Sequence, residues 1–189
     1  MTDIEQAVAH APSHAPSDDR EVLRRRAESL AQEEIDEQSS DKLALLLFRI
    51  GEEWYSVGVA DVREIFQEYD LTPIPCVPPF ISGVINVRGE ILSVTDPAKL
   101  MGIGAIGMDG EMCPPAIVFI RDDIASAVIV DEIGDIAEVA AGSVEPPVSI
   151  IDRAHGEFIA GSVYVNGTMV GLVDVEKMLE PIGAAVARH

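Results

Sequence analysis

A chain of 189 residues fits one domain, or two small subdomains that share a core. Hydrophobic residues make up 48% and charged residues 24%, the balance of a soluble globular protein. The formal net charge of −20 repels phosphate backbones and anionic lipid, which argues against a nucleic-acid partner and against a membrane surface.

No apolar run approaches the roughly 18 residues that cross a bilayer, so no direct membrane insertion is expected. The N-terminus lacks a basic start followed by an apolar core, so no secretory signal is expected and the location is read as cytoplasmic. The two cysteines, Cys76 and Cys113, are expected to be free thiols in that compartment.

Residues 1 to about 16 set His10, Pro12, His14 and Pro16 among Ala and Ser, the composition of a flexible tail. Ser17-Asp18-Asp19 can cap a helix that runs to about Glu37, with Leu23, Ala27 and Leu30 recurring at helical spacing. Arg24-Arg25-Arg26 lies among acids, which reads as a solvated helix face rather than a nucleic-acid arm. The helix is expected to pack on the body or on a partner through Leu23 and Leu30. Gln38-Ser39-Ser40-Asp41 is the linker.

Leu43–Ile50 is almost continuously apolar and reads as a strand buried on both sides. Gly51-Glu52-Glu53 turns it into a returning strand from Trp54 to Val59. A further strand is expected by Arg63–Gln67. The prolines of Thr72–Pro79 remove ladder donors, so this stretch is extended but not a central strand. Phe80–Gly89 and Glu90–Thr95 form a hairpin, with Arg88 beside the turn at Gly89. Asp96 then caps a short helix with Pro97 at its first position. Gly102–Met112 reads as a glycine-rich mobile loop.

The pattern then repeats. Strands are expected at Ala116–Ile120, Ile124–Val130 and Ile133–Val139. A proline-bearing connection follows at Ser143–Ile151, then a hairpin of Phe158–Val165 with Met169–Val173. Asp174 caps a last helix expected to reach Leu179, with Pro181 beyond its end. Phe48, Val57, Val59 and Ile65 fall on Phe119, Val128, Val130 and Ile136, a shift of 119 − 48 = 71. Gly83, Val87, Gly89, Asp96 and Lys99 fall on Gly161, Val165, Gly167, Asp174 and Lys177, a shift of 161 − 83 = 78. A repeat this long fits two similar small β-units better than an array.

Catalytic groups do not converge in the sequence. Cys76 lies between prolines, Cys113 precedes two more, and His155 stands alone near a loop. Asp122-Asp123 reads as a hairpin tip and Asp131-Glu132 as a solvated turn rather than metal ligands. Gly102-Ile103-Gly104-Ala105-Ile106-Gly107 matches G-x-G-x-x-G loosely but lacks the strand-to-helix setting and the lysine of phosphate loops. A binding module without cofactor or metal is the expectation. An enzyme or small-ligand barrel that uses the glycine-rich loop and Cys113 is the alternative.

Phe48 to Ile65, Ile74-Pro75-x-x-Pro78, and Phe80-Ile81-x-Gly83-Val84-x-Asn86-Val87-Arg88-Gly89 resemble the CheW family of chemotaxis coupling proteins, over about residues 43 to 180. The resemblance implies a mostly β fold of two intertwined five-stranded barrels, here over residues 41–181. A tail and helix over 1–40 would precede it, and a tail over 182–189 would follow. It implies a non-catalytic adaptor that bridges chemoreceptors to the CheA histidine kinase, or a related adaptor in a pathway for pili, gliding or biofilm. Carried over by position, it implies receptor contact at Val62, Glu64, Gly83 and Arg88, and kinase contact at Leu71, Ile74 and Ser82. Two features depart from the family pattern: Pro97 stands where an apolar residue usually follows the aspartate, and Gly102–Met112 has no clear counterpart.

Overall fold

A computed structural model describes residues 42–107, 113–147 and 156–186. The expected N-terminal tail and helix, residues 108–112 of the glycine-rich loop, and His155 lie outside them. Ten strands form two five-stranded sheets. They are β1 (Lys42–Ile50), β2 (Glu53–Gly58), β3 (Val62–Phe66), β4 (Ile81–Val87), β5 (Glu90–Thr95), β6 (Ala116–Arg121), β7 (Ile124–Ile129), β8 (Glu132–Ala140), β9 (Ile159–Val165) and β10 (Thr168–Val173). Helix α1 spans Pro97–Met101 and α2 spans Val175–Val186.

One sheet runs β8-β1-β2-β10-β9 and the other β3-β6-β7-β5-β4. Replacing each strand by its counterpart in the other half (β1 by β6, β2 by β7, and so on) turns one order into the other. Each sheet therefore takes its first hairpin from one half of the sequence and its other three strands from the other half. The repeat is one of sequence, and the halves exchange strands to build it. Phe48 and Phe119, counterparts under the 71-residue shift, are both fully buried and meet with ring centroids 6.0 Å apart. The main core joins residues of both sheets around them, among them Ile50, Val57, Val94 and Ile117. A smaller cluster of Leu45, Val163, Val165 and Val170 fills the first sheet. Leu45 points to one cluster and Leu46 to the other, as alternation along a strand requires. Burial on both sides begins at Leu45, because Lys42, Leu43 and Ala44 extend past the core and are exposed.

The two sheets do not close by strand pairing into the barrels that the resemblance implied. Edge β4 receives a single bridge, with Thr72 N donating to Val84 O and Val84 N to Thr72 O, both at 2.9 Å. Edge β9 receives its counterpart from Glu145 and Ser162, both bonds 2.8 Å. The sequence explains why neither bridge grows into a strand. Pro73 and Pro75 follow the first and Pro146-Pro147 the second, and proline has no N–H to donate. Both bridges press on a glycine. A Cβ on Gly83 would lie 2.5 Å from Thr72 O, and one on Gly161 would lie 2.6 Å from Glu145 O.

The helices cap as read. Asp96 is fully buried and accepts from Ala98 N at 3.0 Å, Lys99 N at 3.2 Å and Ile106 N at 3.2 Å. Pro97 fits the first helical position, where its missing N–H costs nothing. Its counterpart Asp174 accepts from Lys177 N at 3.2 Å. The end of α2 differs from expectation, since Pro181 lies inside the helix. Met178, Leu179 and Ile182 are all buried and continue one apolar face across the proline, so packing outweighs the lost backbone bond.

Candidate functional site

The two halves differ where the edge strand faces the second hairpin, with Arg63, Arg88 and Glu90 standing where the other half has Gly134, Asn166 and Thr168. In the second sheet, β3 faces the β4–β5 turn. A register shift between Val62 and Glu64 leaves Arg63 as an unpaired bulge on β3. Arg88 and Gly89 are themselves the two turn residues, with φ of 51° and 92°, so Arg88 is in the turn rather than on the strand before it. Two positive φ values in a two-residue loop match the twist of the flanking strands. Asn86 Oδ1 accepts from Gly89 N at 2.8 Å and locks the loop.

Two ion pairs cross from β3 to this hairpin. Arg88 Nη2 lies 3.3 Å from Glu64 Oε2, and Arg63 Nη1 lies 3.0 Å from Glu90 Oε2. The pairing is asymmetric in exposure. The Arg88 side chain is 82% exposed and that of Glu64 only 21%. Glu64 thus holds a guanidinium that stays open to solvent and retains donors for a partner.

Of the four positions first assigned to one surface, Glu64 and Arg88 touch. Val62 is half-buried on the same strand, opposite Phe119. Gly83 is buried in β4. It offers no surface of its own; a side chain there would displace Thr72 and Leu71, whose Cδ1 would lie 3.0 Å away. Leu71 therefore belongs with Gly83, as a half-buried side chain on the bridging segment. Ile74 is 39% exposed farther along that segment. Ser82 follows a buried strand residue and is half-buried, and its hydroxyl has no hydrogen-bond partner among the described residues. The bridging segment is fixed at its start by Tyr69, whose hydroxyl donates to Pro114 O at 2.8 Å. Burial, with Cys113 nearby, pushes the Tyr69 phenol well above its usual range.

Residue typing missed Arg63 and Glu90, which complete the crossed pairs, and Ile65 and Ile91, which are 43% and 61% exposed on the strands that carry them. Both strands, VREIF and EILSVT, mix apolar with charged or polar residues, so their pattern does not mark which isoleucine lacks a core to enter. Asp122 stands with φ 52° at the β6–β7 tip, and Asp131 accepts from Gly51 N at 2.6 Å, so both acids shape turns. Among the described residues, no three His, Cys, Asp or Glu side chains converge as metal ligands, and no helix is long and apolar enough to cross a membrane.

A family model described as a CheW-like domain matches residues 44–182. The chain is 30% identical to the chemotaxis protein CheW of Rhizobium meliloti (strain 1021) over 139 residues, 71% of this chain and 85% of that one. It is 25% identical to the chemotaxis protein CheW of Treponema pallidum (strain Nichols) over 142 residues, 74% of this chain and 84% of that one. The crystal structure of the scaffolding protein TtCheW from Thermoanaerobacter tengcongensis is similar with a TM-score of 0.62 and 29% identity, covering 71% of this chain and 90% of that one.

Proposed function

Because this chain belongs to the CheW family, we propose that it is a chemotaxis adaptor that couples chemoreceptors to the CheA histidine kinase in a signalling array. Proteins of this family are non-catalytic scaffolds, and this one is not an enzyme. The receptor's cytoplasmic tip meets Val62, Glu64 and Arg88, with Gly83 setting the backbone behind them. The kinase's regulatory domain meets the bridging segment at Leu71 and Ile74 and the adjoining Ser82. The reading places the protein in the cytoplasm and treats the two sheets as intertwined, incompletely closed barrels over residues 41–181.

The observation that carries this reading is the Arg88–Glu64 pair. An arginine fixed in a locked turn, paired on one side and open on the other, loses little conformational freedom when a partner binds. A scaffold works by linked equilibria: one face holds the receptor, another the kinase, and a shift at one alters affinity at the other. Titrating purified receptor tip and purified kinase regulatory domain separately into the protein tests it. Saturable binding of both is expected, and failure to bind either one overturns the reading.

A further inference from the structure

The internal repeat supplies its own reference for the mouth of the other sheet. Glu64, Arg63 and Arg88 have Asp135, Gly134 and Asn166 as counterparts, since 135 − 64 = 71 and 166 − 88 = 78. Glu90 is matched by Thr168. The carboxylate is kept at the second mouth, where β8 meets the β9–β10 turn, while both guanidinium groups that bridge β3 to the β4–β5 hairpin at the first are missing. A cavity of 520 Å³ opens there, lined by Leu47, Trp54, Gly134, Asp135, Asn166 and Thr168 among others.

The aromatic wall is part of the same exchange. Trp54 corresponds to Ala125 in the other half, and Gly134 to Arg63. A Cβ on Gly134 would come within 2.9 Å of the Trp54 ring, so the glycine is what admits the indole. The result is a cavity with an aromatic ring on one side and an exposed carboxylate on the rim. Glu132, also on the rim, is occupied by Arg49 at 3.1 Å. Asp135 has no cationic partner among the described residues.

We infer that this mouth is a second docking site, one that takes an arginine side chain from an extended segment of a partner protein. Its guanidinium stacks on Trp54 and pairs with Asp135, in the role that Arg88 plays toward Glu64 within the chain. The planar, weakly hydrated guanidinium suits such a slot better than an ammonium. The apolar lining from Leu47 and Val170 takes the residues beside it. The site lies on the sheet that does not carry Arg88, so it stands or falls apart from the receptor reading.

Trp54 is the only tryptophan, so its fluorescence reports this cavity directly. The full-length protein is titrated with the peptide acetyl-Val-Arg-Val-amide and with its citrulline and lysine analogues. The arginine peptide is expected to change Trp54 emission saturably, with a Kd on the order of 1 mM for so small a ligand. The citrulline analogue, which keeps the shape and loses the charge, is expected to bind about tenfold more weakly, as is the arginine peptide to Asp135→Asn. The lysine analogue is expected to fall between them. Asn166→Arg fills the mouth from within and abolishes the response. Arg88 already adopts φ 51° at the matching turn position, where Asn166 also has φ 51°, so the variant is compatible with the fold. Glu64→Gln, in the other mouth, leaves the titration unchanged. Emission unmoved by about 20 mM arginine peptide, equal binding of the citrulline analogue, or an Asn166→Arg protein that binds like the wild type overturns the proposal.

Discussion

Replacing Arg88 by Glu separates the proposed binding role from a folding role, because the two would differ in size. The side chain is 82% exposed and its partner Glu64 is 21% exposed. A surface ion pair of this kind contributes about 0.2–1 kcal/mol to folding. Reversal puts two carboxylates where one pair stood, so the folding cost is expected near the upper end, about 1 kcal/mol. For a domain of this size that lowers Tm by about 2–4 °C. An interface arginine at the centre of a contact costs about 2 kcal/mol or more when lost, which weakens Kd by roughly 30-fold. Calorimetric titration of the receptor tip, with a thermal melt of each variant, reads both numbers. The double variant Glu64→Arg with Arg88→Glu restores the pair and the Tm but leaves the partner facing the wrong charge, so binding stays weak. Receptor affinity within about threefold of wild type for Arg88→Glu, or full recovery of binding in the double variant, refutes the reasoning.

Three further outcomes test the frame that holds the site. Gly83→Ala forces a methyl against the Thr72 carbonyl and is expected to destabilise by about 1–3 kcal/mol in urea denaturation. Gly161→Ala, at the matching contact with Glu145, is expected to cost a similar amount. Asp96→Ala strips the partner from three backbone N–H groups in a buried setting and is expected to cost about 3 kcal/mol, whereas Asp174→Ala at the more open counterpart costs about 1 kcal/mol. Burial raises the phenol pKa of Tyr55 and Tyr69 in the folded state. Above the ordinary tyrosine value of about 10, the unfolded chain ionises while the folded one resists. Stability is therefore full below that pH and falls as pH rises beyond it; Tyr69→Phe flattens this alkaline loss in melts taken across the range.

The strands and both hairpins were legible because glycine turns and β-branched runs fix them locally. The duplication was legible too, since Gly83, Gly89 and Asp96 each have a partner doing the same physical work at Gly161, Gly167 and Asp174. Strand exchange between the halves was implied by the family resemblance but was not legible in the residue pattern itself. Neighbouring strands in the sequence leave equally apolar faces, and only tertiary packing around Phe48 and Phe119 decides which sheet each joins. The extent of α2 was misread because Pro181 is a local signal and the burial of Ile182 is not. At the site, the family resemblance pointed to Glu64 and Arg88. The crossing partners Arg63 and Glu90 depend on a bulge, which no spacing rule in β3 announces.

A coupling scaffold must hold two partners on one chain at once. Size-exclusion chromatography with light scattering, on receptor tip, kinase regulatory domain and this protein mixed together, measures that directly. A single peak with the mass of all three, lost when this protein is omitted, is the predicted result. Two separate binary complexes that compete for the chain, or receptor and kinase eluting together without it, contradict the account.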